Sequence, residues 1–229
     1  DRARWGRSDE VTERNQALLR DILESVARLD PAREPAAARA GDFYASCMDE
    51  DAIERAGLRP VAPLLSQIDV AASKADLARV AGALRRDGVD VFFTLAIVPA
   101  LGDATRTVAE VDQGGLSLPD RGYYTRQDPR SVETRTRLAS HVATMLELGG
   151  TPRKRAQTDA AQVVIVETAL AEGHLDSVAR RDPASRDHLV GLEALRALAP
   201  AFDTSAYLEA TGLGPLEAVN VASPGALRA

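Results

Sequence analysis

The chain has 229 residues, of which 45% are hydrophobic and 27% are charged, and these proportions exclude a wholly disordered protein. Its formal net charge of −6 argues against a nucleic-acid-binding protein driven by phosphate contacts. The longest apolar run, residues 91–100, includes Thr94 and Pro99 and is about half as long as a membrane-spanning helix, so no membrane span is expected in this chain.

Apolar residues recur at helical spacing through the first third of the chain. We predict a first helix capped by Ser8 and ended by Asp30-Pro31, because serine accepts hydrogen bonds at helix starts and proline cannot continue a helix. A second helix is predicted over residues 37–48, and a short third one stops at Gly57. A Ser-x-x-Asp capping box that begins at Ser73 opens a fourth helix.

The central segment has a different pattern. Residues 91–98 are β-branched and aromatic, a turn follows at Gly102-Asp103, and residues 105–111 alternate between apolar and polar. This pattern predicts a β-hairpin over about residues 91–111. A glycine-rich stretch with a central proline, residues 113–124, is predicted to be a loop.

The second half of the chain returns to helical spacing, with capping residues or proline at the helix starts and glycine or proline at the ends. Four helices are predicted there: from Ser131 to Gly149, from Thr151-Pro152 to about Arg180, from Ser185 to Pro200, and a short one at Tyr207-Leu208 before Gly212. No repeat or long linker divides the sequence. We therefore predict one mainly α, multi-helix domain, residues 1–229, with a single β-hairpin.

Few residues are arranged for catalysis within this chain. His141, His174 and His188 lack the His-Glu-x-x-His spacing of a zinc-protease helix, so each is interpreted as a surface or half-buried helix residue. The lone cysteine, Cys47, lies on the apolar stripe of the second helix with no basic residue beside it, which indicates a buried structural cysteine or half of a disulfide whose partner lies elsewhere. Gly114-Gly115 lacks the lysine and the hydroxyl residue of a phosphate-binding loop. No set of residues in this sequence has the spacing of a hydrolase active site, so a hydrolase that uses this chain alone is not supported.

The loop after the predicted hairpin carries a recognisable sequence. Residues 112–124, Asp-Gln-Gly-Gly-Leu-Ser-Leu-Pro-Asp-Arg-Gly-Tyr-Tyr, closely resemble a signature of the neprilysin family of zinc metallopeptidases, which includes the endothelin-converting enzymes. Further segments resemble family elements in the same order: Arg4-Trp5-Gly6, residues 42–49, Glu167 with Leu170-Ala171, Arg181-Asp182-Pro183, and Val219-Asn220-Val221 with Pro224. The resemblance therefore covers nearly the whole chain.

This resemblance implies a fold and a role. In the family a mainly helical, non-catalytic lobe covers the zinc cleft and restricts access to short peptides, and the chain is similar to the first part of this lid lobe. The family's zinc site, a His-Glu-x-x-His helix with a downstream glutamate, has no match in this chain. The resemblance thus implies zinc as the cofactor of an intact parent enzyme, with the catalytic zinc lobe of the same polypeptide and short peptide substrates as partners, and no nucleic acid.

The resemblance assigns a substrate contact to one residue of this chain. In the family, the arginine of the Arg-aromatic-Gly element lies at the cleft edge and binds the free carboxylate of a short peptide, a role that would fall on Arg4. A frayed surface arginine is the alternative interpretation. In secreted relatives the cysteine equivalent to Cys47 pairs with one later in the lobe, which would leave an orphan thiol here. The 112–124 loop is expected to be structural, with its glycines in close approaches and its leucines and tyrosines packed against helices.

Two hypotheses of different class follow. The chain is the first part of the lid lobe of a neprilysin-like zinc metalloendopeptidase, inactive alone, or it is a free-standing helical binding module that kept the lobe and lost catalysis. A piece of an enzyme should expose an apolar patch where the missing part packs, whereas a free-standing protein should carry polar residues there. The chain opens with no basic-then-apolar leader, and relatives that act outside the cytoplasm imply a secreted, periplasmic or membrane-anchored parent.

Overall fold

The computed structural model describes residues 5–28 and 34–228. The predicted helix end at Asp30-Pro31 and the candidate residue Arg4 lie outside the described residues. The chain divides into two compact units, one as far as Ala62 and one from Pro63 onward. The grouping of residues 1–229 in one domain stays a prediction. Helices dominate the described chain, which confirms the mainly α fold class.

The first unit is helical. Its described residues form α1 (Arg7–Ala27), α2 (Pro35–Met48) and α3 (Glu50–Ala56). Helix α1 begins directly after Gly6, whose N–H donates to Asp9 Oδ2 at 2.8 Å. The predicted cap at Ser8 is therefore wrong, since Ser8 lies inside the first turn. Gly41 brings α2 close to α1, because a Cβ at this position would lie 2.7 Å from the carbonyl oxygen of Val26.

The second unit contains the remaining helices. Their bounds are α4 (Ala62–Asp69), α5 (Lys74–Arg86), α6 (Gly122–Thr125), α7 (Pro129–Leu148), α8 (Arg153–Gly173), α9 (Leu192–Leu198), α10 (Thr204–Thr211) and α11 (Pro224–Arg228). The capping box at the start of α5 is confirmed: Ser73 Oγ accepts the N–H of Asp76 at 3.1 Å, and the Ser73 N–H donates to Asp76 Oδ2. Helix α7 is capped by Asp128 and not by Ser131, because the Asp128 carboxylate accepts both the N–H and the hydroxyl of Ser131.

Helix α8 ends at Gly173, well before the predicted end at Arg180. Beyond the helix, His174 is extended, and Leu175 N–H donates to the Gln113 side-chain oxygen at 2.7 Å. The Gln113 amide donates in turn to the Leu175 carbonyl at 3.2 Å. This two-way bond ties the chain after α8 to the end of a strand and diverts it from the helix axis.

The sheet is larger than the predicted hairpin. Among the described residues it comprises β1 (Phe93–Ala100), β2 (Asp103–Gln113), β3 (Leu189–Gly191) and β4 (Ala218–Val221) in the order β1-β2-β4-β3. The antiparallel β1–β2 pair confirms the hairpin, while β4 pairs parallel with β2 and antiparallel with β3. The prediction of a helix from Ser185 is wrong, because a short 3-10 turn over Pro183–Arg186 leads into β3, and α9 begins only at Leu192.

The main core of the second unit lies between the sheet and helices α5, α9 and α10. Its buried members include Val111, Val219, Val221 and Tyr207. Phe93 packs edge-to-face on Tyr207, with ring centroids 4.9 Å apart. Burial raises the pKa of Tyr207 to about 12, with a smaller contribution from the charge of Asp90. The phenol therefore stays neutral in the core at physiological pH.

Candidate functional site

The 112–124 loop lies closely against the start of β1. A Cβ at Gly114 would lie 3.0 Å from the backbone of Phe93. Gly115 has a φ of +76°, and a Cβ there would lie 2.6 Å from the carbonyl oxygen of Val91. Glycine alone combines this left-handed backbone with so short an approach. The two glycines thus occupy close approaches of the kind expected from the sequence.

The apolar side chains of the loop form a second, smaller core. Tyr124, which is 1% exposed, is buried with Leu138 of α7 and Ala171 of α8. The partly buried side chains around them are Leu116, Leu118, Tyr123, Val142 and Val164. The leucines and tyrosines of the loop therefore pack on the helices, as the sequence predicts.

A buried carboxylate on α8 holds the loop from the other side. Glu167 is 7% exposed and accepts hydrogen bonds from Ser117 N–H at 3.1 Å, from Ser117 Oγ at 2.6 Å and from the Tyr124 hydroxyl. The Tyr124 oxygen accepts the N–H of Leu118 at 2.9 Å. Burial raises the pKa of Tyr124, and its hydrogen bond to Glu167 adds to the increase. The phenol therefore acts as a permanent donor to Glu167.

A second buried carboxylate, Asp112, joins the end of β2 to segments that follow much later in the sequence. One of its oxygens accepts from Ser223 Oγ at 2.8 Å, and the other lies 3.2 Å from the guanidinium groups of Arg180 and Arg186. Arg186 also pairs with Glu110 at 3.2 Å. These two carboxylates face two arginines, so they connect the end of β2 to two 3-10 turns, Ala179–Arg181 and Pro183–Arg186, and to the residue before α11.

Asn220 organises the neighbouring part of β4. Its amide nitrogen donates to Glu110 Oε2 at 2.8 Å and to the Arg186 carbonyl at 3.0 Å. Its oxygen accepts the N–H of His188 at 2.8 Å, and His188 Nδ1 lies 3.0 Å from the Val221 carbonyl. The middle residue of the Val-Asn-Val segment is therefore an internal bridge between strands.

Arg121 of the loop caps the end of α8. Its Nε donates to the Ala171 carbonyl at 3.1 Å, and its Nη2 donates to the Glu172 carbonyl at 3.4 Å. The last carbonyls of a helix lack partners within the helix and carry the negative end of its dipole, so a guanidinium is favoured there. The arginine of the loop sequence thus has a structural partner in α8.

The three histidines differ in their surroundings. His141 is exposed on α7, as predicted, whereas His188 is half-buried and precedes a strand. His174 is 7% exposed, and its Nε2 has no hydrogen-bond partner among the described residues. The prediction of a surface or half-buried helix position is therefore wrong for His174. Burial lowers the pKa of His174 below its usual 6.5, and the charges of Arg180 and Arg121 lower it further. A hydrogen bond with the Gly114 backbone and the nearby Asp112 carboxylate oppose this decrease.

We expect His174 to make the protein less stable in mild acid. The unfolded chain takes up the proton near pH 6.5, the usual value, while the folded chain resists it. The contribution of neutral His174 to the free energy of unfolding is therefore complete above that pH. As the pH falls toward the folded pKa, the free energy of unfolding decreases by at most about 1.4 kcal/mol per pH unit. Urea unfolding at about pH 7 and about pH 5 should show a smaller loss for His174→Gln than for the wild type. His141→Gln is the matched control; an equal loss in His174→Gln would contradict the assignment.

The hydrogen bonds of these groups hold the loop, the helices and the strands of the second unit together. Hydroxyl, N–H and guanidinium donors occupy the carboxylates of Glu167 and Asp112. Within residues 5–28 and 34–228, no group of three or more His, Cys, Asp or Glu side chains is placed to hold a metal ion, so this part of the chain does not fit a zinc site. Cys47 is exposed on α2, which corrects the interpretation of a buried cysteine. None of the described helices has the length and apolarity to cross a membrane.

Sequence reasoning named some of these residues but missed how they are connected. Glu167 was identified only as part of a segment that resembles the family, with no predicted role. The carboxylate of Asp112 was not expected to be buried. The pairing of Asp112 with Arg186 and Ser223 was missed altogether. One signal was present: Glu167 interrupts an otherwise apolar stretch of α8, where an acidic residue needs a partner.

Comparisons with known proteins agree on one family. The model of Peptidase family M13 matches residues 1–229. Endothelin-converting enzyme 1 of Cavia porcellus is 29% identical over 231 residues, which cover 97% of this chain and 30% of the relative. The crystal structure of Mycobacterium tuberculosis zinc metalloprotease Zmp1 in complex with an inhibitor superposes with a TM-score of 0.89 at 32% identity, covering 100% of this chain and 35% of that one. PepO from Lactobacillus rhamnosis shares the fold, with a TM-score of 0.75 at 17% identity. The chain thus spans about a third of the length of these relatives.

Proposed function

The chain belongs to peptidase family M13, and we propose that it forms the first part of the non-catalytic lid lobe of a neprilysin-like zinc metalloendopeptidase. In the intact enzyme the zinc ion and the catalytic groups would lie on other parts of the same polypeptide. The lobe would cover the zinc cleft and restrict its substrates to short peptides. The observation that carries this proposal is the family match across residues 1–229. The packing of the 112–124 loop on α7 and α8 agrees with a structural role of this region.

Exposed apolar side chains support an enzyme segment over a free-standing binding module. On α1, four large apolar residues at helical spacing are about half exposed: Val11 at 57%, Leu18 at 56%, Leu19 at 58% and Ile22 at 48%. A free-standing module should carry polar side chains on such a face. The alternative, a helical interaction module that lost catalysis, is therefore less well supported.

The coding region that follows residue 229 tests the proposal directly. A reading frame that continues into a His-Glu-x-x-His helix with a downstream glutamate would support it. The encoded parent should then cleave a short peptide but not the same sequence within a folded protein, while residues 1–229 alone should cleave neither. A stop codon directly after Ala229 would overturn the proposal in favour of a non-catalytic module.

We further propose that Arg4 binds the free carboxylate at the end of a peptide substrate. A guanidinium and a carboxylate form two parallel hydrogen bonds, and such charged bonds contribute about 1.5–3 kcal/mol. Arg4→Ala in the parent should therefore lower kcat/KM about 10- to 100-fold for a peptide with a free carboxylate. Steady-state kinetics should show little effect for the amidated form of the same peptide, because it lacks the charge.

Two outcomes of this experiment would contradict the role of Arg4. Equal losses for the free and the amidated peptide would indicate a general structural effect. A comparable loss in Arg7→Ala, which removes an exposed arginine from the first turn of α1, would indicate a general charge effect. Arg4→Lys should restore only part of the activity, since an ammonium cannot form the paired bonds.

A further inference from the structure

Helix α8 is charged at its start but has a largely apolar central stretch. Residues 160–166 read Ala-Ala-Gln-Val-Val-Ile-Val, and residues 169–171 read Ala-Leu-Ala. A helix that is apolar all round is normally enclosed by protein, whereas a surface helix has one polar face. In the structure one side of α8 is buried, yet Ile165 is 58% exposed and Val166 is 49% exposed. This exposed side is apolar without a covering element among the described residues.

A groove follows this side of the helix. It has a volume of about 450 Å³, and two acidic residues of α8, Asp159 and Glu167, are part of its lining. The other lining residues include Gln162, Val163, Val166 and Leu170 of α8 with Val91 and Phe92. The spacing of the α8 residues, at i, i+1, i+4 and i+8, runs along the helix for about two turns. The groove therefore offers an elongated, mainly apolar surface of the size of a short helix or strand.

The last described helix, α11, contacts the C-terminal end of α8. Helix α11 packs against α8, and a Cβ at Gly225 would lie 2.7 Å from the Gly173 carbonyl oxygen at the last turn of α8. Leu170, at one end of the groove, lies within one turn of Gly173 along the same helix. The last described helix therefore lies next to the C-terminal end of α8, within one turn of Leu170.

We propose that the groove along α8 is the docking site for an apolar segment of the polypeptide that follows residue 229 in the intact peptidase. This inference rests on the proposed function, because it requires a longer parent, and the relatives are about three times as long as this chain. A segment tethered next to α8 binds at a high effective concentration. It therefore has an advantage over a second copy of the chain for the same groove.

Cysteine protection measures whether the groove is covered. In a Cys47→Ser background, Gln162→Cys places a thiol in the groove, and Gln157→Cys places one on the same helix, exposed and about 140° away around its axis. Alkylation rates at each position are read by mass spectrometry of the peptide that carries it, in residues 1–229 and in the parent. We expect the rate at position 162, relative to position 157, to fall at least about tenfold in the parent only. Thermal melts followed by circular dichroism check that each variant is folded.

The other outcomes separate the competing explanations. Equal relative rates in both proteins would overturn the inference, because the groove would then be open in the parent. Protection that appears in residues 1–229 as concentration rises, together with dimers in sedimentation, would assign the groove to a second copy and also overturn it. Peptide cleavage is measured on the same parent samples. An active parent with an open groove rejects this inference alone, and an inactive parent with a protected groove rejects the proposed function alone.

Discussion

Replacing Glu167 with alanine is expected to lower the free energy of unfolding by about 2–4 kcal/mol, among the larger effects of a single substitution. Glu167 is 7% exposed, and its carboxylate accepts from the N–H and the hydroxyl of Ser117 and from the hydroxyl of Tyr124. Alanine would leave the buried Tyr124 hydroxyl without its acceptor, which costs about 1–3 kcal/mol. The two Ser117 donors, on an exposed residue, would lose their acceptor at a smaller cost. The loop would also lose its attachment to α8.

Urea denaturation of residues 1–229, followed by circular dichroism, measures this effect, and two milder variants test its cause. Glu167→Gln keeps one acceptor oxygen. Tyr124→Phe removes one donor from the Glu167 carboxylate and leaves the Leu118 N–H without its partner, so each variant should cost about 1–3 kcal/mol. Glu133→Ala is the matched control, because Glu133 forms an exposed ion pair with Arg137 on α7 and should cost at most about 1 kcal/mol. A Glu167→Ala variant as stable as this control would show that the carboxylate does not hold the loop.

The sequence predicted the features that depend on neighbouring residues. The capping box at Ser73, the end of α3 at Gly57 and the β1–β2 hairpin are local, and each was confirmed. The prediction of the capping residue was wrong where two candidates lie close together, as at the start of α7. Asp128 precedes Pro129 at the first helical position and takes the cap, so Ser131 falls inside the first turn.

Long-range pairing explains the elements that the sequence did not predict. Strand β4 is only four residues long and pairs with β2, so that Asn220 lies opposite Glu110. Strand β3 also pairs with β4. Its Leu189 lies three residues before Leu192, a spacing that is typical of a helix. A partner that lies about a hundred residues away leaves no periodic signal in the strand itself. The true end of α8 has a similar cause, because Gln113 captures the backbone of Leu175.

The sequence indicated where the structural network around the 112–124 loop lies but not its hydrogen bonds, and the predicted site residue, Arg4, lies outside the described residues. The resemblance pointed to the 112–124 loop and to Glu167, and both lie in the polar network. Nothing in the local sequence, however, indicates that Asp112 binds Ser223 or that Asn220 joins Glu110 to the backbone of Arg186. These contacts exist only after the sheet has brought β2 and β4 together, so they depend on the fold and not on motif spacing.

Gly115→Ala should lower the free energy of unfolding by about 2–5 kcal/mol, since two costs act at this position. The backbone has a φ of +76°, which costs an L-residue about 1–2 kcal/mol. The new methyl group would also lie 2.6 Å from the Val91 carbonyl oxygen and 3.0 Å from Phe92 Cα. Neither backbone atom can move without shifting β1, and such overpacking costs about 1–3 kcal/mol.

Gly102→Ala separates these two costs. Gly102 lies in the β1–β2 turn with a φ of +81°, and a Cβ at this position would have no other atom within 4 Å, so alanine there should cost only the backbone contribution of about 1–2 kcal/mol. Urea denaturation of both variants gives the difference, which measures how tightly the loop is pressed against the start of β1. A positive difference of about 1–3 kcal/mol is expected. Equal losses would mean that the loop yields to the methyl group, and that Glu167 and the small core around Tyr124 position it without help from the glycine contact.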